Sequence, residues 1–494
     1  MKELTWRFAS SLAIASAGRR ALVTAAAVVL AIGFAATARA GATPSPKVLC
    51  VKASGTIPKG LAARLKCVAA YSTIGAAVSA ASAHDTVFVL PGTYSEMVTI
   101  SSSLTGLTLM GQNRSNTIID ATGQQNGVFD QANDVTIDGF TIENAEHEGI
   151  LVEGPAASCS LASPAPCTPA APEIDGVTVS NNLVHNNDLA LDTSATPPTC
   201  PAKGSVPAAP AFEQEDCGEG VHLDGVAFST VTNNLIMDNA GGILLTDETN
   251  ANHDNLASDN QVERNIPDCG ITLPSHPSNG SGGNIGRPSF GVYNDTVADN
   301  LSEDNGAAGT GVFAPTPGTA SYKHLIVGNQ LIRNTSAGVI FHSHAPGQRL
   351  NNTSVVGNQI ADNGADPNPG PGETNGPAEP TGIDVYADAA AAPLTGIKIV
   401  GNTIKDETND IWVGAPGWSN CGSAAAPCYI VDAHENNFAP RSTGVNNTGT
   451  NDALVNATNN FWGCGKGPGG NPACATAVGN VSTDPFLGRP AMAQ

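Results

Sequence analysis

The feature that most constrains this sequence is an internal repeat that begins near Val135 and runs through most of the chain. Each copy holds an apolar residue, Asn or Gly, a second apolar residue, an acidic or Asn turn, and then Gly before Ile or Val. Such repetition is typical of solenoids, in which each unit buries its apolar face against its neighbours. The copies are Val135–Glu153, Val177–Asp192, Val231–Asp247, Asn260–Pro274, Val297–Pro315, Ile326–His342, Val355–Tyr386 and Ile397–Gly414.

Within each copy, apolar and polar residues alternate in short runs that Gly and Asn separate. This period of two predicts strands, and no long helical periodicity competes with it. The recurring Asn is expected to stack on the Asn of the next coil, where its amide links side chains and backbone, and it tolerates left-handed backbone angles. We therefore predict an all-β parallel solenoid of about ten coils, in preference to a β-propeller, which needs longer four-stranded repeats.

Segments near both ends resemble known β-helix proteins. Thr73–Val78, Asp85–Tyr94 and Val98–Ile100 resemble the opening of pectin-lyase-like proteins, and Asn459–Gly463 is similar to a terminal motif of these secreted proteins. The repeats resemble the NosD-like or general β-helix group. The resemblance implies a single right-handed parallel β-helix with an N-terminal capping helix and a C-terminal cap. Caps are required because an open solenoid end leaves strand edges unpaired.

The order of the motifs predicts four segments. Residues 1–40 are interpreted as a signal peptide, because Arg19 and Arg20 precede an apolar run that ends in a small-residue cleavage site. An uncleaved membrane anchor is the alternative. The remaining segments are the cap and first coils at 41–130, the repeats at 131–440 with insertions at 155–172, 193–217 and 365–380, and the C-terminal cap at 441–494.

The composition is strongly acidic, with 22 Lys and Arg against 44 Asp and Glu and a formal net charge of -22. Loss of residues 1–40 would remove five basic residues and one acidic residue, which takes the charge to -26. Nucleic acids and anionic membranes bind to basic patches, so neither is an expected partner. We expect a secreted or periplasmic monomer that is not membrane-bound after signal cleavage and that can bind polysaccharide.

Ten of the eleven cysteines are near neighbours in sequence, and Cys269 is left over. In an exported protein such pairs predict local disulfides. Metal binding is the alternative, but no Cys-x-x-Cys spacing supports it. The predicted pairs are Cys50 with Cys67, Cys159 with Cys167, Cys200 with Cys217, Cys421 with Cys428, and Cys464 with Cys474.

A column of acidic residues follows the repeated Gly-Ile/Val step, on side chains expected to point outward. Glu153, Asp192 and Asp224 are predicted to stand on consecutive coils about 4.8 Å apart. His222 lies beside Asp224, and Asp247 lies one residue beyond the next equivalent position. Stacked carboxylates share protons or bind cations, so these five residues are candidate catalytic groups, with Ca²⁺ a possible cofactor. The alternative is solvated acids on an acidic surface.

Aromatic and polar side chains continue along the same predicted outward face. Aromatic rings can stack on sugar rings, which makes this set a candidate polysaccharide-binding surface. Packing beneath the 365–380 insertion is the alternative. His342 and His344 would share a strand face, as metal sites often require, although no third ligand is evident in the sequence. The candidate binding residues are Phe313, His342, Asp384, Tyr386 and Trp412.

The sequence leaves the function open. It lacks the catalytic motifs of pectin methylesterases, polygalacturonases and alginate epimerases. One hypothesis is a secreted polysaccharide lyase, hydrolase or epimerase that uses the acidic column. A second is an envelope or extracellular protein that binds glycan without chemistry. The resemblance to NosD-like proteins adds a periplasmic accessory role in copper-site assembly, although no Met- or Cys-rich copper path is present.

Overall fold

The computed structural model describes residues 45–155, 168–195, 198–209, 217–276, 289–314, 318–343, 349–366, 376–387, 394–414, 429–449 and 454–492. Contacts divide the chain after Ser45, and all elements below belong to the unit that begins at Pro46. The predicted signal peptide lies outside the described residues. No helix within them is long and apolar enough to cross a membrane.

The chain winds into coils, and each complete coil adds one strand to each of three long parallel sheets. Sheet 1 has fifteen strands: Val48–Val51, Cys67–Tyr71, Thr86–Val89, Thr108–Gly111, Thr136–Asp138, Thr178–Ser180, Thr230–Thr232, Leu256–Ser258, Thr296–Ala298, Leu325–Val327, Ser354–Val356, Ile397–Val400, Tyr429–His434, Leu454–Asn456 and Val481–Ser482. Sheet 2 has ten strands: Gly92–Tyr94, Thr117–Asp120, Thr141–Glu143, Leu183–His185, Leu235–Met237, Gln261–Glu263, Leu301–Glu303, Gln330–Ile332, Gln359–Ala361 and Thr403–Lys405.

Sheet 3 has twelve strands: Val98–Ile100, Val128–Asp130, Ile150–Glu153, Glu219–Asp224, Gly241–Thr246, Ile271–Pro274, Thr310–Ala314, Val339–Ser343, Thr381–Ala387, Asn409–Gly414, Thr443–Asn447 and Thr476–Val478. Sheet 4 has five short strands: Ile174–Asp175, Val226–Ala227, Asn252–His253, Val292–Tyr293 and Ser321–Tyr322. The ten strands of sheet 2 correspond to ten complete coils, which confirms the predicted right-handed parallel β-helix.

The core is built by the alternation that the sequence predicts. In sheet 3, Ile150 and Val152 point into the solenoid and are fully buried, and Val221 and Leu223 repeat them on the next coil. Stacking equivalent apolar residues every coil makes one continuous core, and each fully buried Val, Leu or Ile contributes about 1.5–3 kcal/mol. The intervening side chains therefore point outward, which defines the outer face of sheet 3.

A ladder of buried asparagines fixes the turn between sheets 1 and 2. The backbone N–H of each ladder Asn donates to the side-chain Oδ1 atom of the corresponding Asn on the next coil, at 2.8–3.0 Å. The side-chain Nδ2 atoms donate onward to the same acceptor, so the buried turn leaves few polar groups unsatisfied. The rungs are Asn182, Asn234, Asn260, Asn300, Asn329, Asn358, Asn402, Asn436 and Asn460.

A second ladder of the same kind fixes the turn between sheets 2 and 3. It begins where the Ala145 backbone N–H donates to Asn187, and it ends where Asn363 donates to the carboxylate of Glu407. Burial raises the pKa of Glu407 to about 7, against the opposing effect of the hydrogen bonds from Asn363. The intermediate rungs are Asn239, Asn265, Asn305 and Asn334.

The sequence suggested that one Asn both stacks on the next coil and adopts the left-handed backbone conformation. In the structure the stacked Asn does not adopt that conformation. That conformation belongs to the preceding residue, such as Asn181 with φ of 54° or Gly328 with φ of 70°. The turn therefore uses two adjacent positions. One bends the chain, at a φ that Asn, Asp and Gly tolerate best, and the other forms the ladder.

Both ends of the solenoid are covered. The helix Ile74–Ala80 buries Ile74, Ala77 and Val78, and its first backbone N–H groups donate to Glu96 at 2.7 and 2.8 Å. A second helix, Lys59–Leu65, precedes it without buried residues. At the other end Trp462 is fully buried against Phe438, with ring centroids 4.9 Å apart.

Three of the five predicted disulfides are confirmed: Cys50–Cys67, Cys200–Cys217 and Cys464–Cys474. The other two pairings stay predictions, because their four cysteines lie outside the described residues: Cys159, Cys167, Cys421 and Cys428. Cys269 is free and buried. Disulfides form and persist in oxidising compartments, so the three confirmed bonds indicate a protein that folds outside the cytoplasm.

We predict that Asn329→Ala destabilises the protein by about 3 kcal/mol or more, because at least two buried partners lose hydrogen bonds at about 1–3 kcal/mol each. Asn329 accepts from Asn300 and donates to the Val297 carbonyl. The measurement is the urea midpoint, compared with Gln330→Ala at the exposed neighbouring position. Equal midpoints for the two variants would contradict a stabilising ladder.

We predict that Glu407→Gln alters how stability depends on pH. The folded pKa of about 7 lies above the ordinary value near 4.5, so the folded state holds the proton more tightly and its stability falls as pH rises between these values. The variant cannot ionise there, so its melting temperature should rise relative to wild type from about pH 5 to about pH 8. Asp259→Asn, in an exposed turn, serves as the control and should show no such trend.

Candidate functional site

The structure brings part of the predicted acidic column together on the outer face of sheet 3. Glu153 stands opposite Asp224 on the adjacent strand, and Asp224 stands opposite Thr246 on the next. Asp247 lies one residue beyond that position, as the sequence pattern predicts. Two acidic residues therefore stand side by side on this face, on neighbouring strands whose backbones are about 4.8 Å apart.

The predicted place of Asp192 in this column is wrong. Residues 177–192 and 219–224 belong to one coil, because the 193–217 insertion separates the second strand of that coil from its third. Asp192 lies at the start of the insertion, where its carboxylate accepts hydrogen bonds from Ser194. The side-chain hydrogen bond from Ser194 is the main reason why the pKa of Asp192 is lowered.

His222 and Asp224 point away from the core yet are completely buried. Asp224 Oδ1 accepts hydrogen bonds from the backbone of Glu248 and Thr249, and Oδ2 has no hydrogen-bond partner among the described residues. His222 Nε2 lies 2.8 Å from the Thr246 hydroxyl. Of Glu153, His222, Asp224 and Asp247, only Glu153 is partly exposed.

Asp247 is an anchor between coils. It accepts hydrogen bonds from the His276 backbone at 2.7 Å, from the Ser275 hydroxyl and from the Gly291 backbone. Burial raises its pKa to about 7, against these hydrogen bonds. The adjacent Glu248 pairs with His276 at 2.7 Å. These contacts hold the exit from strand Gly241–Thr246 onto the next coil.

Two further buried glutamates, Glu148 and Glu219, lie at the N-terminal ends of strands Ile150–Glu153 and Glu219–Asp224. The backbone N–H of Glu219 donates to Glu148 Oε2 at 2.8 Å, and both residues are about 2% exposed. Gly241 follows them in register, and a Cβ atom there would collide with the Glu219 carboxylate. The sequence carries a signal for this pair, since Glu-Gly-apolar occurs before both strands, but it was not among the predicted site residues.

The aromatic set does not form the exposed platform that was one of the two interpretations of the sequence. His342, Asp384 and Tyr386 are at most 1% exposed, and Phe313 is half-buried. The rings pack on one another in sequence along the axis, with centroids 5.5 Å apart for Phe313 and His342, 5.6 Å for His342 and Tyr386, and 6.0 Å for Tyr386 and Trp412. His344 lies outside the described residues.

His342 and Asp384 form a buried pair on adjacent strands, Val339–Ser343 and Thr381–Ala387. His342 Nε2 lies 3.2 Å from Asp384 Oδ2 and 3.6 Å from Asp366 Oδ2. Burial raises the pKa of Asp384 well above its ordinary value. Asp366 was not predicted, because it lies at the start of an insertion that has no periodicity.

An open cleft of about 580 Å³ adjoins this row of rings at Trp412. The Trp412 indole lies over Gly414, where a Cβ atom would overlap the indole ring. The Tyr386 ring packs against the other side of the indole. Asn446 donates to Asn409 at 3.0 Å on the same wall. The other polar groups that line the cleft are Glu379, Thr408, Thr443 and Thr448.

A second row of rings lies on sheet 4 and was not anticipated from the sequence. The rings of His253 and Tyr293 stack at 4.8 Å, those of Tyr293 and Tyr322 at 5.4 Å, and the Arg349 guanidinium lies 3.6 Å above Tyr322. Each ring face is covered by its neighbour, so this row stabilises the stack of coils and leaves ring edges to solvent.

These features define a right-handed parallel β-helix with a cleft and buried polar clusters on the outer face of sheet 3. Neither the family models nor the curated proteins include a match to the sequence.

Solved structures with a similar course of the chain include the Agl-KA catalytic domain, which is 12% identical, with 90% of this chain and 68% of that chain covered and a TM-score of 0.45. The catalytic domain of a GH87 alpha-1,3-glucanase is also 12% identical, with 91% and 70% covered and a TM-score of 0.45. The A-module of the Azotobacter vinelandii mannuronan C-5 epimerase AlgE4 is 12% identical, with 85% and 95% covered and a TM-score of 0.32. The fold assignment rests on the sheets of this chain itself.

Proposed function

We propose that this protein is exported and binds polysaccharide in the cleft beside Trp412. The observation that carries the proposal is the combination of an indole wall with side-chain amides, hydroxyls and one exposed carboxylate in an open cleft of about 580 Å³. Sugars offer apolar C–H faces that stack on aromatic rings and hydroxyls that bond to amides and carboxylates. The cleft offers both kinds of contact.

The rigidity of the wall supports this function. Trp412 is held between Tyr386 and the backbone at Gly414, so its indole needs little ordering when a ligand binds. The Asn446–Asn409 hydrogen bond also orients the two amides before binding. Preorganised aromatic and polar groups increase affinity because less conformational entropy is lost.

A second candidate function is cleavage or epimerisation of polysaccharide at the Glu153–Asp224 pair. The observation in its favour is that Asp224 Oδ2 is buried without a hydrogen-bond partner among the described residues, beside a partly exposed Glu153 on the neighbouring strand. A carboxylate pair about 5 Å apart matches the spacing of retaining glycosidases. His222 and Asp224 are 0% exposed, whereas Trp412, itself 6% exposed, lines an open cleft with polar groups, so glycan binding in that cleft is the better supported function.

Trp412→Ala is expected to weaken binding of a soluble polysaccharide at least tenfold, about 1.4 kcal/mol, because the indole that shapes this wall of the cleft is lost. A glycan panel followed by titration calorimetry measures this, and Trp412→Phe should retain part of the affinity. Phe228→Ala removes an exposed ring elsewhere and should bind normally. Glu379→Gln changes the cleft without disturbing the core, so unchanged affinity in both Glu379→Gln and Trp412→Ala would contradict the proposal.

The second candidate is tested by incubating the wild-type protein with a panel of polysaccharides, with and without Ca²⁺. If the carboxylate pair is catalytic, we expect release of reducing ends or unsaturated uronates. Asp224→Asn should then lower the rate at least a hundredfold, in line with the contribution of a positioned acid or base. Asp259→Asn should leave it unchanged. Binding without any product from wild type would exclude this candidate and leave the binding function.

A further inference from the structure

A cluster of one imidazole and two carboxylates lies between three segments of the chain. His342 comes from strand Val339–Ser343, Asp384 from strand Thr381–Ala387, and Asp366 from the segment that follows strand Gln359–Ala361. One ligand atom from each residue lies within 4.8 Å of the other two. The Nε2 atom of His342 is 3.2 Å from Asp384 Oδ2 and 3.6 Å from Asp366 Oδ2.

We propose that His342, Asp366 and Asp384 bind one divalent transition-metal ion, of the class that Zn²⁺ represents. Ions of this class bind imidazole nitrogen and carboxylate oxygen at about 2.0–2.2 Å. Two tetrahedral ligands at that distance are roughly 3.3–3.6 Å apart. The separations around His342 Nε2 already lie close to this range, so only small side-chain rotations are required.

The buried oxygen of Asp384 is an independent sign of a ligand. Asp384 is completely buried, and its Oδ1 atom has no hydrogen-bond partner among the described residues. Through its Oδ2 atom, Asp384 forms an ion pair with His342. A buried carboxylate oxygen that makes no hydrogen bond is costly, and charges buried in proteins are usually paired or coordinate metals.

Charge balance also favours a dication. Two aspartates and a neutral imidazole carry a charge of about -2, which one divalent ion neutralises inside a buried site. A Lys or Arg would neutralise only one carboxylate.

The imidazole ligand selects the class of metal. Calcium prefers six to eight oxygen ligands in an open, flexible geometry, whereas imidazole favours zinc and its first-row neighbours. The rings of Phe313 and Tyr386 flank His342 on its own face of the sheet, with centroids 5.5 and 5.6 Å away. They hold the imidazole orientation, as supporting residues do around metal ligands.

A bound ion would anchor the insertion that borders the cleft. Asp366 stands at its start, and the Asp366 backbone N–H donates to the Pro377 carbonyl at 3.0 Å near its end. Ala378 and Glu379, which follow Pro377, line the cleft beside Trp412. The ion would therefore fix both ends of the insertion to sheet 3, whether or not the cleft binds glycan.

The test uses the full chain without an affinity tag, stripped with chelator and dialysed against Zn²⁺. We expect one equivalent to bind and to raise the melting temperature, since a ligand that binds only the folded state stabilises it. Asp384→Asn and Asp366→Asn should each weaken binding at least tenfold. Asp362→Asn, in an exposed turn four residues before Asp366, should bind as wild type does.

Measurements on the wild type keep the proposal testable if a variant misfolds. Co²⁺ substitution should give visible absorption bands, and X-ray absorption of the zinc form should show one imidazole together with oxygen ligands. No stoichiometric binding of Zn²⁺, Mn²⁺ or Co²⁺, binding of Ca²⁺ alone, or zinc affinity unchanged in both Asp→Asn variants would each overturn the site.

Discussion

The structure depends on the buried amide ladders that connect each coil to the next. A parallel strand pair alone specifies its register weakly, whereas an Asn that must meet the Asn of the following coil admits one alignment. In the ladder between sheets 1 and 2, Asn300 contacts Asn260 and Asn329 in this way, and nine coils share the contact. A shift by one residue would leave buried amides without partners, at about 1–3 kcal/mol for each.

This fixed register determines which outward side chains meet. Glu153 and Asp224 face each other, and His342 faces Tyr386, because the ladders align the strands of sheet 3 on which they lie. Contacts along the axis are therefore set by the fold. Contacts across the face, such as Asp366 with His342, depend instead on the insertions, which the ladders do not position. The cleft beside Trp412 and the cluster of His342, Asp366 and Asp384 both combine the two kinds of contact.

The repeat, the alternation in each strand and three of the disulfides could be predicted from the sequence because they are local or periodic. The position of Asp192 could not, because an insertion inside a coil breaks the spacing from which register is inferred. The outward direction of His222 and Tyr386 was predictable, but their burial was not, since it depends on neighbouring rings and segments that cover the face. Asp366 and the Glu148–Glu219 pair required three-dimensional proximity to become apparent.

The ladders have a direction. At a typical rung such as Asn329, the backbone N–H and one Nδ2 hydrogen point to the next coil, the other Nδ2 hydrogen goes back to a carbonyl of the preceding coil, and the Oδ1 atom accepts from the N-terminal side. The ladders begin with the backbone N–H groups of Phe140 and Ala145. An amide can pass hydrogens to one more coil, whereas Glu407 accepts from Asn363 at Oε1 and its Oε2 has no hydrogen-bond partner among the described residues. Glu407 is the last rung of one ladder, and at Asn460, the last rung of the other, Nδ2 donates to the carbonyls of Ala433, Ala457 and Thr458. A solenoid lengthened by duplicating coils would therefore have to keep these two residues as the last rungs of their ladders.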